Sequence, residues 1–336
     1  MQQSMNLGEP EQIILFRDVA IGLEAALVLD HSGLGPAAGG IRTRTYASFA
    51  DALADAKGLA RAMTLKCALA GLSAGGGKMV VRVVPGFDRR AVFARLGDEI
   101  QRLGGRFRTA GDLGTTAEDL EEVAGRSEYV HTQTGSLAGA VARGHLRCVE
   151  AGCGLGQGAS LDGISVAVQG CGDIGQAVIR TLSARGASLS VADLNPARVE
   201  EVRDVRGVRA VDPEGILRAE VDVLAPCAVG GVLTGEVAKR LRAPLICGAA
   251  NNIVSDGAVG EQLAQGGVKV VPDIIASAGG VVEGIGKTVM GLAHRGPLID
   301  QLGETAREVL DEASRGGMSA QGVAEQLAVR RILRGI

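Results

Sequence analysis

The alternation of apolar and polar positions divides the chain into two parts. In the first, QIILF (12–16) and AALVLDH (25–31) are short apolar runs that read as strands. SFADALADAKGLARAMTLKCALAGL (48–72) follows with helical spacing. Ser48 suits the N-cap, and Phe49, Leu53, Ala56, Leu59, Ala60 and Met63 form one apolar stripe. KMVVRVV (78–84) reads as a strand, and AVFARLGDEIQRL (91–103) as a helix with Val92, Leu96, Ile100 and Leu103 inward. From Ile164 the pattern changes: ISVAVQG, SLSVAD, VDVLAPC, APLICGAA and VKVVPD alternate with helical segments. That alternation predicts a parallel sheet with helices on both faces, hence an α/β fold. The stretch from Ile299 reads as two helices broken at Gly316-Gly317.

Composition narrows the function classes. The 336 residues are enough for two domains, and 46% hydrophobic residues provide for a sizeable core. The 51 glycines are scattered through periodic sequence, which points to tight turns and close backbone approaches rather than disorder. A net charge of −3 without a basic run argues against nucleic acid as a partner. The N-terminal MQQSMNLGEPEQ has no basic segment leading into an apolar one, and no apolar run is long enough to span a membrane. The six cysteines (Cys67, Cys148, Cys153, Cys171, Cys227, Cys247) show no CxxC pattern and no histidine at zinc spacing. They read as reduced thiols in a cytoplasmic protein without a metal site.

The clearest chemical motif is ISVAVQGCGDIGQAVIRTLSARGASLSVAD (164–193). Gly170, Gly172 and Gly175 form G-x-G-x-x-G after a strand, at the start of a helix, ahead of a second strand ending in Asp193. This is the full context of a dinucleotide site. The glycines let the backbone turn under a pyrophosphate at the helix N-terminus, with Asp173 and Ile174 in the same turn. Asp193 is placed to accept hydrogen bonds from ribose hydroxyls and to repel a 2′-phosphate. No arginine follows it at once (Leu194, Asn195, Pro196), so NAD is expected rather than NADP.

AGLSAGGGKMVV (70–81) superficially suggests a P-loop. It has Leu72 in place of the first glycine and Met79 in place of the magnesium-binding hydroxyl. Lys78 needs another role, or is a snorkelling lysine at a strand start. Taken with GPAAGG (35–40) and RTAGDLGTTAEDL (108–120), this stretch resembles the leucine/phenylalanine/valine dehydrogenases of the glutamate dehydrogenase superfamily. The resemblance continues through DVLAPCAVGGVL, GAANN and VVPDIIASAGGVV, over about residues 30 to 290.

The resemblance implies an NAD-dependent L-amino acid dehydrogenase, interconverting an amino acid with its 2-oxo acid and ammonia. Lys66 matches the lysine that pairs with the substrate carboxylate, and Gly39 and Gly40 match backbone donors near it. Lys78 matches the catalytic lysine, acting as a neutral base, and Asp112 the acid that binds the amino group and shuttles protons. Asn251 matches a residue lining substrate and nicotinamide. Leu194, Ala225, Pro226, Cys227, Ala249 and Ser277 match further cofactor contacts. On the residues alone, Lys66 also reads as a solvated helix-end lysine, Asp112 as a cap of the TTAEDL turn, and Cys171 and Cys227 as packing.

The implied architecture is a mixed-sheet substrate and oligomerisation domain (1–140), a Rossmann-type NAD domain (141–292), and C-terminal helices (293–336) returning to the first domain. The active site is expected in the cleft between the domains, and the protein is expected to form homo-oligomers from dimer to octamer. The side-chain pocket is expected at Ala38, Ala110, Val281 and Gly284. These small, uncharged residues favour phenylalanine or tryptophan, then leucine or methionine, with Glu283 repelling an acidic side chain. Two departures from the family pattern fall near the cofactor's reactive end: Val141, within a short segment before Gly144, where threonine is usual, and Ser277, where asparagine is usual. They leave open two other readings, an NAD-binding sensor with impaired catalysis and a same-fold enzyme acting on 2-oxo acids with another amine or none.

Overall fold

The computed structural model describes residues 7–132 and 137–335. The expectations that rest on the first six residues, and on 133–136 within the short segment before Gly144, lie outside the described residues. The chain forms two compact units, one of Met1–Thr134, Gly284–Ala293 and Ala328–Ile336, the other of Gly135–Glu283 and His294–Leu327.

The first unit contains β1 (Gln12–Asp18), β2 (Leu23–His31), β3 (Ala37–Arg44), α1 (Phe49–Leu69), β4 (Gly75–Arg82), α2 (Arg89–Arg102), β5 (Phe107–Gly111) and α3 (Ala117–Ala124). Its sheet runs β1-β2-β4-β3-β5. β2 pairs antiparallel with β1 and β4, whereas β3 pairs parallel with β4 and β5, so the sheet is mixed. β3 and β5 are strands that the apolar pattern did not reveal. Their Ala- and Gly-rich sequences have little intrinsic strand preference, and pairing on both sides of β3 supplies the order instead.

Alternate residues of β2 enter opposite cores. Leu23, Ala25, Leu27 and Leu29 join Ile41, Met79, Phe93, Leu96, Ile100 and Phe107 beneath α2. Ala26 and Val28 join Val80 and the alanines Ala52, Ala56 and Ala60 of α1. The α1 stripe is thus seated on alanine, with Phe49, Leu53 and Leu59 flanking it, rather than on the larger residues the spacing suggested. The reason lies in β4. A Cβ built on Gly76 would sit 2.2 Å from the Thr64 amide nitrogen and 2.4 Å from the Ala60 carbonyl oxygen of α1, and one on Gly75 would sit 1.7 Å from the His31 carbonyl oxygen of the neighbouring β2. Helix and strand meet at backbone distance, and only small side chains fit between them. At the other end of α1, Ser48 and Asp51 close the capping box.

The second unit contains α4 (Leu137–Gly152), β6 (Ser165–Gln169), α5 (Asp173–Ser183), β7 (Ser188–Ala192), α6 (Pro196–Glu200), β8 (Val208–Ala210), β9 (Val223–Pro226), α7 (Gly235–Ala238), β10 (Leu245–Cys247), α8 (Gly257–Gln265), β11 (Lys269–Val271) and α9 (Asp273–Ala276). α10 (Gly279–Thr288), α11 (Gly296–Gly316) and α12 (Ala320–Arg334) follow. The sheet is parallel, in the order β11-β10-β9-β6-β7-β8. The chain winds outward from β6 to β8 and then returns to β9 on the other side. The strand order therefore reverses between β6 and β9, where such sheets bind ligands.

The C-terminal helices differ from expectation. α11 belongs to the second unit, where Arg143 and Arg147 of α4 reach Asp300 of α11 at 2.6 and 2.8 Å. Gly303 lets the two helices close, since a Cβ there would lie 2.9 Å from the Arg147 carbonyl. Only the end of α12 joins the first unit, and Arg331 donates to the Leu69 carbonyl there at 2.7 Å. The break between the helices falls as expected, with Gly317 at φ 65°. No helix among the described residues is long and apolar enough to cross a membrane.

Candidate active site

The first unit builds a partly buried ionic cluster around buried Lys78. Lys78 lies on β4, and its Nζ is 2.8 Å from Asp112 Oδ2, just beyond β5. The same oxygen accepts from Arg42 Nε of β3 at 2.9 Å. Arg42 Nη1 in turn reaches Asp55 Oδ2 of α1 at 3.2 Å, and the Tyr46 hydroxyl donates to that oxygen at 2.5 Å. Backbone contacts fix Asp112. A Cβ on Gly40 would come 3.0 Å from the Asp112 Cβ, so only glycine lets the strands close there. The Thr43 amide donates to the Leu113 carbonyl at 2.9 Å, and the Thr115 hydroxyl to the Ile41 carbonyl at 2.7 Å. The capping box of α3 is made by Thr116 and Asp119, so Asp112 is not that cap.

These contacts set the charges. Burial pulls the Lys78 ammonium below the ordinary lysine value; Asp112 opposes this and Arg42 adds to it. Burial would raise the Asp112 carboxyl, but Lys78 and then Arg42 outweigh it and hold it below the usual carboxylate range. One carboxylate oxygen serving two cations explains the direction for Asp112, and burial, with Arg42, the direction for Lys78. The anion is doubly compensated, and the lysine is the cation that can shed its proton.

Lys66, in the last turn of α1, is 7% exposed, not a solvated helix-end lysine. Gly39 and Gly40 pair with Thr109 and Ala110 of β5, and the β3–β4 pairing steps across them from Ala38–Gly76 to Ile41–Met79. Ala38 is buried and Ala110 half-buried.

In the second unit the expected cofactor residues gather at the carboxyl ends of the strands. Gly170 has φ 101°, and a Cβ on it would meet the Ala228 backbone at 2.8 Å. A Cβ on Gly175 would lie 2.0 Å from the Gly170 carbonyl oxygen. Both positions thus require glycine. Gly172 is the N-cap of α5, with no side chain capping the helix, which leaves first-turn N–H groups suited to an anion. Asp173 and Ile174 open that helix. Asp193 braces the loop, accepting from the Cys171 amide at 2.7 Å and the Asn195 amide at 2.8 Å, and its carboxylate keeps further lone pairs for hydroxyl donors. Leu194 beside it is exposed. Ala225 and Pro226 end β9, Cys227 donates its amide to the Gln169 carbonyl, and Ala249 donates its amide to the Pro226 carbonyl. The Ser277 hydroxyl lies 3.3 Å from Asn251 Oδ1 and donates to the Asp273 carbonyl at 2.7 Å. Among the described residues no group of His, Cys, Asp or Glu gathers to hold a metal ion.

Residues 10–129 match the family model for the Glu/Leu/Phe/Val dehydrogenase dimerisation domain, and residues 191–285 the one for glutamate/leucine/phenylalanine/valine dehydrogenase. The chain is 36% identical to leucine dehydrogenase of Bacillus subtilis, over 96% of this chain and 92% of that protein. It belongs to the Glu/Leu/Phe/Val dehydrogenase family. Phenylalanine dehydrogenase of Bacillus thermotolerans is 31% identical over 97% of this chain and 89% of its own length. The crystal structure of L-tryptophan dehydrogenase from Nostoc punctiforme superposes with a TM-score of 0.86 at 30% identity, covering 97% of this chain and 96% of that one. The protein is thus an oxidoreductase of an amino acid dehydrogenase family that acts on CH–NH2 donors with a nicotinamide cofactor.

The departures from the family pattern have structural settings. Val141 of α4 packs on α10, where a Cβ on Gly280 would meet its Cγ2 at 3.1 Å. Ser277 is buried beside Asn251 and keeps a hydroxyl there. Val281 and Gly284 lie on α10, and nothing stands within 4 Å of a Cβ on Gly284. Glu283 is ion-paired with Arg295, so the repulsion expected from it is largely compensated. Three residues of this dehydrogenase cluster escaped the sequence reading: Arg42, Asp55 and Tyr46. The available signal was period two, since Arg42 follows Gly40 at i+2 on a strand. Arg198 was missed as well. Its Nη1 lies 3.6 Å from a Cβ built on Gly172, although it stands five residues beyond Asp193.

Proposed function

We propose that the chain catalyses the reversible oxidative deamination of an L-amino acid with a bulky apolar or aromatic side chain, with NAD as cofactor. The observation that carries this reading is the pairing of buried Lys78 with half-buried Asp112 at 2.8 Å in a family of amino acid dehydrogenases. Lys66 holds the substrate carboxylate by a charge-assisted pair, with backbone donors at Gly39 and Gly40. Asp112 holds the amino group. The amino group gives up one proton to neutral Lys78, which passes it to solvent, and the bound cofactor would then accept the Cα hydrogen as hydride, leaving the substrate as a protonated imine. Neutral Lys78 takes a proton from the water that attacks the imine carbon. That proton passes to the nitrogen through Asp112, and the C–N bond breaks as the new hydroxyl loses its proton to the lysine. The residue types at Ala38, Ala110, Val281 and Gly284 support an uncharged side chain, and the open space around Gly284 supports a large one. NADH consumption with a panel of 2-oxo acids, each with and without ammonia, tests the proposal. Ammonia-dependent turnover is expected to be fastest with aromatic acids, and absence of ammonia dependence on every acid would remove the reading.

The preference for NAD rests on Asp193, whose charge disfavours a 2′-phosphate. Arg198 near the same loop offers a phosphate the opposite charge once the aspartate is gone. Asp193→Ala is therefore expected to raise the NADPH-to-NADH affinity ratio by roughly tenfold, read by fluorescence titration. Asp193→Ala combined with Arg198→Ala is expected to give back most of that gain. Equal affinity of the unmodified protein for both cofactors would show that Asp193 does not discriminate.

The protein is further proposed to be cytoplasmic, in keeping with its six free cysteines. It is proposed to form homo-oligomers through the first unit, where edge strand β1 exposes Ile13 and Leu15. A monodisperse monomer by light scattering at micromolar concentration would refute the assembly.

A further inference from the structure

We propose that Arg42 is a positioning residue of the proton-transfer site: held by Asp55, it fixes the Asp112 carboxylate against Lys78 Nζ and governs when Lys78 gives up its proton. This inference rests on the reading of Lys78 as the base. Arg42 sits between two acids, with Nε on Asp112 and Nη1 on Asp55, and its guanidinium is mostly buried. Such a fork binds two carboxylates in fixed directions, which a lysine ammonium does not. Tyr46 fixes the far end by donating to Asp55. Burial opposes the Arg42 charge, but Asp112 and Asp55 outweigh it and hold the guanidinium above its ordinary value. Arg42 is thus a permanent positive charge sharing one carboxylate oxygen with Lys78.

The charged groups around Lys78 divide by element. Arg42 comes from β3, Asp112 from the end of β5, and Asp55, Arg61 and Lys66 from α1. Asp30 comes from β2, where Thr64 donates to it at 2.6 Å and Arg61 lies 3.4 Å away. Further along the strand Arg82 of β4 pairs with Glu24 of β2 at 2.7 Å. Among these, Asp112 and Asp55 favour the charged lysine and Arg42 disfavours it. Arg42 and Asp55 therefore act on the same proton with opposite sign.

The test is the pH profile of kcat/KM for amino acid oxidation, whose acidic limb follows the loss of the Lys78 proton. Arg42→Gln removes the opposing charge, so the limb is expected to move to higher pH by about one unit. Asp55→Asn removes a favourable charge and is expected to move it to lower pH. Arg42→Lys keeps the charge without the fork, and is expected to lower kcat while leaving the limb closer to its original position than Arg42→Gln does. If Arg42→Gln does not fold, the shift of Asp55→Asn to lower pH and the lowered kcat of Arg42→Lys with its limb near the original position carry the test. A uniform loss of kcat with an unmoved limb in all folded variants would reduce Arg42 to a structural role and overturn the inference. Normal turnover by Lys78→Ala would instead overturn the assignment of the base, so the two failures are distinguishable.

Discussion

Lys78→Ala is expected to lower kcat by about 10³-fold, the usual contribution of a positioned base, while NADH affinity stays within twofold of the unmodified protein's. The side chain lies in the first unit, on β4, and the glycine loop that fits a dinucleotide lies in the second. The protein is also expected to stay folded, because Asp112 keeps Arg42 as its partner at 2.9 Å once the lysine is gone. Steady-state kinetics with a fluorescence titration of NADH reads both quantities on one preparation. Turnover close to that of the unmodified enzyme would mean that another group accepts the proton. A parallel collapse of NADH binding would mean that the substitution had spread beyond its site.

Gly76→Ala is expected to destabilise the first unit by about 3 kcal/mol or more, by forcing backbone against backbone. The added carbon would meet the Thr64 amide nitrogen at 2.2 Å and the Ala60 carbonyl at 2.4 Å, and neither can turn aside as a side chain would. Gly77→Ala meets the Phe107 ring at 3.0 Å and should cost less, since a ring edge can yield by a few tenths of an ångström. Gly58→Ala, within α1 and with nothing inside 4 Å, provides the contrasting case. It should stabilise by about 0.5–1 kcal/mol through helix propensity and a less flexible unfolded chain. Urea denaturation of the three variants orders them. A Gly76→Ala protein as stable as Gly58→Ala would show that α1 and β4 are not in backbone contact.

These glycines mark where the sequence was legible. The β6–α5–β7 segment could be read because its signal is local: a glycine turn between two apolar runs, closed by Asp193. The glycines before Lys78 could be read only through resemblance. Locally they suggest a loose turn, and their use as strand residues depends on His31 and Thr64, which lie far from them in sequence. β3 was hidden for the same reason, and Arg42 with it, because a side chain cannot be assigned to a face of a strand that is not seen. The destination of α11 was hidden too. Its amphipathic pattern shows that it must pack, while its partner is selected by Asp300 and Gly303 meeting α4. Arg198 escaped because reading only the residues just after Asp193 overlooks the turn into α6, which returns its side chain to the loop.

The seam between α1 and β4 also bears on motion. Where a helix rests on a strand through amide and carbonyl atoms, no torsion of a side chain can vary their separation. Rotamer hopping, the fast and ubiquitous motion of protein interiors, leaves the spacing between the supports of Lys66 and Lys78 untouched. Helix and strand must travel as a single block, so any breathing of this enzyme during turnover is taken up elsewhere in the chain, while the two amines keep their footing.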